Sequence, residues 1–351
     1  MATGSDGETT EINALEPIVS PTANLVQLLH GKLVAQAICA AAELRIADHL
    51  DESPQGVDVL ARKVGAHAPS LYRLLRLLAT VGIFTELESQ RFVHSPLSMV
   101  LKTDVPGSVQ AIACMIGAAW HSVAETRMMH SLRTGETAFR FQHGKGVFEY
   151  FQEDVEAGRV FAAAMTGLSQ AANHAIGQAY DFSWAGSVVD IGGGHGSFLS
   201  SVLLNHPSMQ GIVFDAPSVV AGAAAQIDAA GLRERCSLEA GDFFVSVPKN
   251  SDVYVLKHIL HDWNDQAALS ILRSCRAAAA AHSKLLVIED LVGVANAPSS
   301  AKVTDLEMLV IFGGQERTLA EYSQLLETSG FKLERTIQTR LPLFVLEAAP
   351  V

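Results

Sequence analysis

The sequence predicts an α/β chain of two parts: a mainly helical N-terminal half containing a winged helix, and a C-terminal half built on a mostly parallel sheet. Three observations carry this reading. From about Asn24 to Tyr180 nearly every segment has helical periodicity. From Ser187 onward, short β-branched runs alternate with Ala-rich helical segments, the pattern of a parallel sheet covered on both faces. The first of those runs ends in a glycine-rich turn that opens a helix. The expected boundaries are a disordered tail over 1–20, the helical part over 21–180 and the sheet over 181–351.

At 351 residues both parts can hold a core. Hydrophobic residues make up 49% and charged residues 18%, which excludes a disordered composition. The formal net charge of -12 repels polyanions, so no nucleic-acid partner is expected. Cys39, Cys114, Cys236 and Cys275 lack the paired spacing of a zinc site or a disulfide framework, and read as buried thiols in a reducing compartment. The N-terminus is polar and acidic where a signal peptide is basic and then apolar, which points to the cytoplasm. The longest apolar stretch, Val109 to Trp120, falls short of the roughly 20 residues a bilayer needs, so no membrane partner is expected.

Within the helical part, LVQLLHGKLVAQAICAAAEL at 25–44 carries more apolar surface than a small domain buries, which favours a dimer interface. From Ser70, SLYRLLRLLATVGIF places Leu71, Leu74, Leu75, Leu78 and Val81 on one helical face. FTELESQRFVHSP then reads as a hairpin. Helix, helix and hairpin suggest a winged helix, which raises DNA binding. Only Arg73 and Arg76 are basic on the candidate reading helix, however, and the plainer use of the unit is packing against another subunit.

In the second part the strand candidates lie at 187–193, 211–217, 252–258 and 284–290, and a ligand belongs beyond their C-terminal ends. VVDIGGGHGSF at 188–198 ends a strand in Asp190, followed by Gly192, Gly193, Gly194 and Gly196. A turn without side chains lets a nucleotide-like ligand approach the backbone closely. Ser197 stands where a dinucleotide fingerprint requires glycine, so the pattern is D-x-G-x-G-x-G. Asp215 closes the next strand, where a carboxylate can accept from both ribose hydroxyls. Asp242 and Phe243, in GDFF, end a further strand, where an acid meets the adenine amine and a ring covers its face. The glycine turn alone is also consistent with a tight strand-to-helix connection.

With DIGGGHG, FDAP, GDFF, LKHILHDWND, VIED and GGQERT in this order, the chain from about Asn24 to its end resembles the plant caffeate-type and bacterial small-molecule O-methyltransferases. The resemblance implies a Rossmann-like methyltransferase domain with a seven-stranded sheet, beside a winged-helix domain for dimerisation and substrate capping. It implies S-adenosylmethionine as methyl donor, S-adenosylhomocysteine as product, no metal, and a small aromatic substrate of secondary metabolism methylated on a phenolic hydroxyl. The family's cofactor contacts fall on Gly192, Asp215, Asp242, Phe243 and Lys257, joined by Asp190 and Gly194 of the same turn. Plant members often carry Met where Phe243 stands.

Methyl transfer needs alignment and a nucleophile relieved of its proton. A neutral imidazole near 6.5 can serve a phenol near 10. By resemblance His261 is that base, flanked by Glu289 and Glu316; His258 is the nearest competitor. Asp262 has the type and place to cap the helix from Trp263 onward, so capping does not require the histidine. Glu289 is alternatively an exposed strand end, and Glu316 a partner for Arg317. Plant members have one residue more between the two glutamates, so the loop at Gly313 and Gly314 is expected to differ. Trp120, Phe161, Met165 and Met308 match substrate-lining positions, and each is equally consistent with plain core. Two alternatives stay open: a scaffold recruited for decarboxylation, hydroxylation or cyclisation, whose members generally lose the histidine kept here, and a winged-helix regulator.

Overall fold

A computed structural model describes residues 20–351; the tail expected over 1–20 lies, apart from Ser20, outside the described residues. Ser20 caps the first helix, α1 (Pro21–Glu43), its hydroxyl accepting from the Ala23 N–H at 3.1 Å. Next come α2 (Ile46–His49), β1 (Gln55–Gly56), α3 (Val57–Val64), α4 (Ala68–Thr80), β2 (Phe84–Leu87) and β3 (Arg91–His94). These strands pair antiparallel in the order β1-β3-β2, which completes the winged helix. Leu71, Leu75 and Leu78 are buried with Phe84 and Phe92, but Val81 is 42% exposed. The helix stops at Thr80 and Gly82 turns at φ 77°, which takes Val81 off the apolar face.

Short helices α5 (Pro96–Met99), α6 (Gln110–Gly117), α7 (Ala119–Glu125), α8 (Met128–Thr134), α9 (Ala138–His143) and α10 (Val147–Glu153) lead to the long α11 (Val155–Ala179). The apolar run from Val109 to Trp120 is not one helix, because the chain breaks at the extended Ala118 between α6 and α7. Among the described residues, the helix that is long and apolar enough to cross a membrane is instead α1, 23 residues long, with an 18-residue window of mean hydropathy 1.4 that is 22% buried. Gln27, His30 and Lys32 interrupt its run of apolar letters, but the leucines, valines and alanines around them keep the average high.

The remaining elements are β4 (Ser187–Ile191), α12 (Ser197–Asn205), β5 (Gln210–Asp215), α13 (Pro217–Ala229), β6 (Cys236–Ala240), β7 (Val253–Lys257), α14 (Asp265–Ala278), β8 (Lys284–Asp290), α15 (Ser300–Glu307), α16 (Leu319–Thr328), β9 (Phe331–Gln338) and β10 (Leu343–Pro350). They build a seven-stranded sheet in the order β6-β5-β4-β7-β8-β10-β9. β6 through β8 run parallel, and β10 is antiparallel to both of its neighbours. Val188, Val253, Val255 and Leu286 face the core formed with α11 and α12, whereas Val189, Tyr254, Leu256 and Val287 face the core formed with α14 and α16. Burial on both faces is why these strands read as unbroken apolar runs.

Strand order runs outward in one direction from β4 through β5 and β6, and in the other through β7 and β8. That reversal opens a crevice at the C-terminal ends of β4 and β7, where open α/β sheets bind ligands. α11 borders it from the helical side: Ala157 and Ala164 belong to the core of the helical part, while Ala172 and Ile176 belong to the core of the sheet. The four thiols are unpaired, with Cys39, Cys236 and Cys275 buried and Cys114 only half-buried.

Candidate active site

The glycine turn leaves β4 with Gly192, Gly194 and Gly196 at φ 69°, 58° and 78°, a left-handed backbone that side chains resist. A Cβ on Gly193 would lie 2.8 Å from Asp190 Oδ2. One on Gly192 would lie 2.4 Å from Ile259 Cδ1 and 3.9 Å from Phe243 Cε1, so the turn, the GDFF segment and the chain beyond β7 converge here. Asp215 accepts from the Gly194 N–H at 2.8 Å through Oδ2 and from the Ala216 N–H at 2.7 Å through Oδ1. It therefore holds the turn in shape, a duty that the expected ribose contact left out. Asp242 lies exposed, accepting from the Phe244 N–H at 2.8 Å, and the Phe243 ring packs edge-on to Phe244 and Trp263.

Asp190 is 2% exposed, and its Oδ2 has no hydrogen-bond partner among the described residues. Burial pushes its carboxyl up to about 7 against the opposing charge of Lys257. Lys257 is lowered by burial despite Asp190 and Glu289, and its Nζ lies 3.5 Å from Ser169 Oγ. An unanswered acceptor beside a bare glycine turn, with an acid at the end of the adjacent strand, fits a nucleoside bearing a charged amino-acid arm.

The second half of the site is the short 3-10 turn Leu260–Asp262 beyond β7. His261 Nδ1 lies 2.8 Å from Glu316 Oε1 and 3.6 Å from Glu289 Oε2, and Nε2 lies 3.6 Å from Asp262 Oδ1. Glu289, next to last in β8, is fully buried; it is not an exposed strand end. Its Oε1 accepts from the N–H groups of Ile259, Leu260 and His261 at 3.1, 2.9 and 3.4 Å, while Oε2 has no partner among the described residues. Glu316 does not pair with Arg317, which turns the other way and donates to Leu260 O, Trp263 O and Asp265 Oδ1 at 2.8, 2.7 and 3.0 Å. Asp262 does not cap the next helix: Asn264 does, its Oδ1 accepting from the Ala267 N–H at 3.0 Å. Glu289 and Arg317 engage the backbone of the turn, and helix can begin only beyond it.

The field at His261 differs from the neutral imidazole near 6.5 expected from its type. Burial alone would lower its proton affinity, but Glu289, the hydrogen bond to Glu316 and the charge of Asp262 together raise it to about 10. Burial raises Glu289 to about 7, with His261 opposing. His258 is pushed well below its ordinary value by burial, and then by Lys257 and His261. Its backbone sits at φ 53° and its ring lies 5.4 Å from that of His261.

Trp120, Phe161 and Met165 meet in one apolar cluster with Val310 and Ile311. Trp120 packs edge-on to Phe151 at 5.0 Å with its Nε1 unpartnered among the described residues, and Phe151 stacks on Phe161 at 4.9 Å. Met308 is buried at the start of a π-helical turn, Met308–Phe312, continuous with α15. Two residues, Arg317 and Gly314, have roles in the site that local spacing does not announce. Arg317 shares GGQERT with Glu316, and Gly314 passes so close to the histidine that a Cβ there would sit 1.9 Å from His261 O.

An O-methyltransferase domain model matches residues 120–332, and an O-methyltransferase dimerisation domain model matches 26–104. The chain is 42% identical over 331 residues to a phenazine O-methyltransferase of Lysobacter antibioticus, covering 93% of this chain and 96% of that one. It is 40% identical to the mitomycin biosynthesis 6-O-methyltransferase of Streptomyces lavendulae, covering 88% and 89%. A methyltransferase of calicheamicin biosynthesis, solved with S-adenosylhomocysteine, superposes with TM-score 0.86 at 34% identity, covering 94% and 98%. A neocarzinostatin O-methyltransferase, solved with S-adenosylmethionine and 2-hydroxy-5-methyl naphthoic acid, gives 0.75 at 30%, covering 90% and 96%. A phenazine-1-carboxylate N-methyltransferase of Pseudomonas aeruginosa is 30% identical, covering 93% and 96%. Domain models on both parts, relatives along nearly the whole length and a glycine turn fit for the cofactor agree: the chain belongs to the S-adenosylmethionine-dependent O-methyltransferases of small-molecule biosynthesis.

Proposed function

We propose that the protein methylates a phenolic hydroxyl of a small aromatic metabolite, with His261 as general base and without a metal. The observation that supports this most is the 2.8 Å contact between His261 Nδ1 and Glu316: in the free-base form the ring proton stays on that side, and Nε2 is the nitrogen that takes the acceptor's proton. Bound S-adenosylmethionine supplies an electrophilic methyl on a positively charged sulfur. Asp190, Gly192, Gly194, Asp215, Asp242, Phe243 and Lys257 hold that ligand, and Trp120, Phe161, Met165 and Met308 wall the acceptor. Glu289 fixes the backbone of the turn, so the imidazole meets the acceptor in one orientation. A proton affinity raised to about 10 matches that of a phenol, so the proton passes to Nε2 without a steep uphill step. The protein acts in the cytoplasm as a homodimer joined through the helical part.

Labelled S-adenosylmethionine offered with a panel of phenols and aromatic amines tests this. His261→Ala is expected to lose about 10²- to 10⁴-fold in rate on the preferred phenol. Wild-type activity in that variant, or turnover confined to the amines, would sink the reading.

A further inference from the structure

Two histidines and a glutamate stand together in the crevice in a way that base chemistry alone does not require. His258 follows β7 directly, His261 lies on the turn just after it, and Glu289 is next to last in the strand paired alongside, where β7 and β8 match Lys257 with Ile288. Glu289 Oε2 lies 3.8 Å from His258 Nδ1 and 3.6 Å from His261 Nδ1, and donor atoms of all three residues fall within 4.8 Å of one another. A tetrahedral zinc ion with bonds of about 2.0–2.2 Å sets its donors about 3.4 Å apart. The two edges that meet at Glu289 are therefore within a few tenths of an ångström of that spacing.

A second observation is the state of the glutamate. Its Oε1 is taken up by backbone N–H groups, which fixes the carboxylate, while Oε2 is buried, unpartnered among the described residues, and directed at both rings. A buried carboxylate oxygen without a donor is one for which a cation is the natural complement. His258 keeps 35% of its side chain open, which leaves a way in.

We propose that His258, His261 and Glu289 form an inhibitory site for a divalent transition-metal ion, of which Zn²⁺ is the representative. Two imidazoles and one carboxylate are a donor set such ions prefer, with a fourth position left for water. The ion takes His261 at Nδ1 and displaces its contact with Glu316. The ring proton then resides on Nε2, the nitrogen the proposed base needs free, and methyl transfer stops. Metal binding goes beyond the methyl-transfer reading and does not depend on it; the inhibition rests on that reading.

The test uses the whole chain after treatment with a chelator. Calorimetric titration with ZnCl₂ should show one equivalent bound, and Co²⁺ in its place should give the visible absorption of a four-coordinate site. His258→Asn and His258→Gly both tolerate the left-handed backbone at φ 53°, so the fold is kept. Each should weaken binding by at least about 100-fold, the upper end of what losing an outer partner costs. One equivalent of Zn²⁺ should lower wild-type turnover at least about tenfold, reversibly with EDTA, in proportion to the loss of the free base. No stoichiometric binding, or binding unchanged in both variants, overturns the site. Binding without loss of turnover overturns its inhibitory role and, separately, the assignment of His261 as base.

Discussion

His261 is held by two carboxylates with different duties: Glu316 bonds the ring, and Glu289 bonds the backbone that carries it. Their joint charge raises the imidazole to about 10, so at neutral pH the protonated form dominates and the free-base fraction grows tenfold per pH unit. The rate on a phenol should accordingly rise with pH along a limb whose apparent pKa in kcat/KM lies well above 6.5. A bound cation pulls that limb downward in kcat. Glu316→Gln removes one negative neighbour, which lowers the folded-state pKa and should move the limb to lower pH. The plateau should fall about 10- to 100-fold for want of the orienting contact. A profile already flat at neutral pH, or a limb unmoved in the glutamine variant, would show that this imidazole does not govern the reaction.

At the scale of elements, the decisive unit is the turn between β7 and α14, gripped from opposite sides by Glu289 on its N–H groups and Arg317 on its carbonyls. The loop after the π-helical turn closes over it, with the Gln315 N–H donating to His261 O at 2.8 Å. Only a residue without a side chain fits at 314, since a Cβ would sit 1.9 Å from His261 O. Gly314→Ala should therefore displace the imidazole, and a displacement of about 1 Å can cost about 100-fold in rate. Calorimetry should find cofactor affinity little changed, because the glycine turn lies on another segment; wild-type turnover in this variant would refute the close fit. Such grips explain what was legible beforehand. The glycine turn was legible as a contiguous motif, because its bend needs glycines in sequence, and the strands carry their burial as unbroken apolar runs. The cap at Asn264 rather than Asp262, and the turning of Arg317 away from Glu316, follow from contacts of Glu289 and Arg317 with the turn across 28 and 57 residues, which local spacing does not encode.

For the whole molecule, the open question is what covers α1. Leu25, Leu28, Leu29 and Leu33 repeat at helical spacing and are 60%, 76%, 68% and 65% exposed. They run on into a groove between α1 and α4 lined by Ala37, Leu74 and Leu77. The excess apolar surface was plain in the sequence and pointed to a dimer interface, although by length and composition alone the same helix is also long and apolar enough to cross a membrane. The dimerisation domain model over 26–104 favours a second copy of the chain. On its other side α1 is seated firmly: a Cβ on Gly117 of α6 would lie 2.5 Å from Cys39 Cβ, so this helix cannot roll inward to hide its leucines. Burying a leucine is worth about 1.5–3 kcal/mol, and in a two-fold interface every substitution counts twice. Leu28→Glu with Leu29→Glu should then halve the mass seen by light scattering. Thermal stability should fall as well, since association and folding are linked, while helical content below the transition is retained. A wild-type protein already monomeric at assay concentration, or a doubly charged variant that still dimerises, would place the interface on another face.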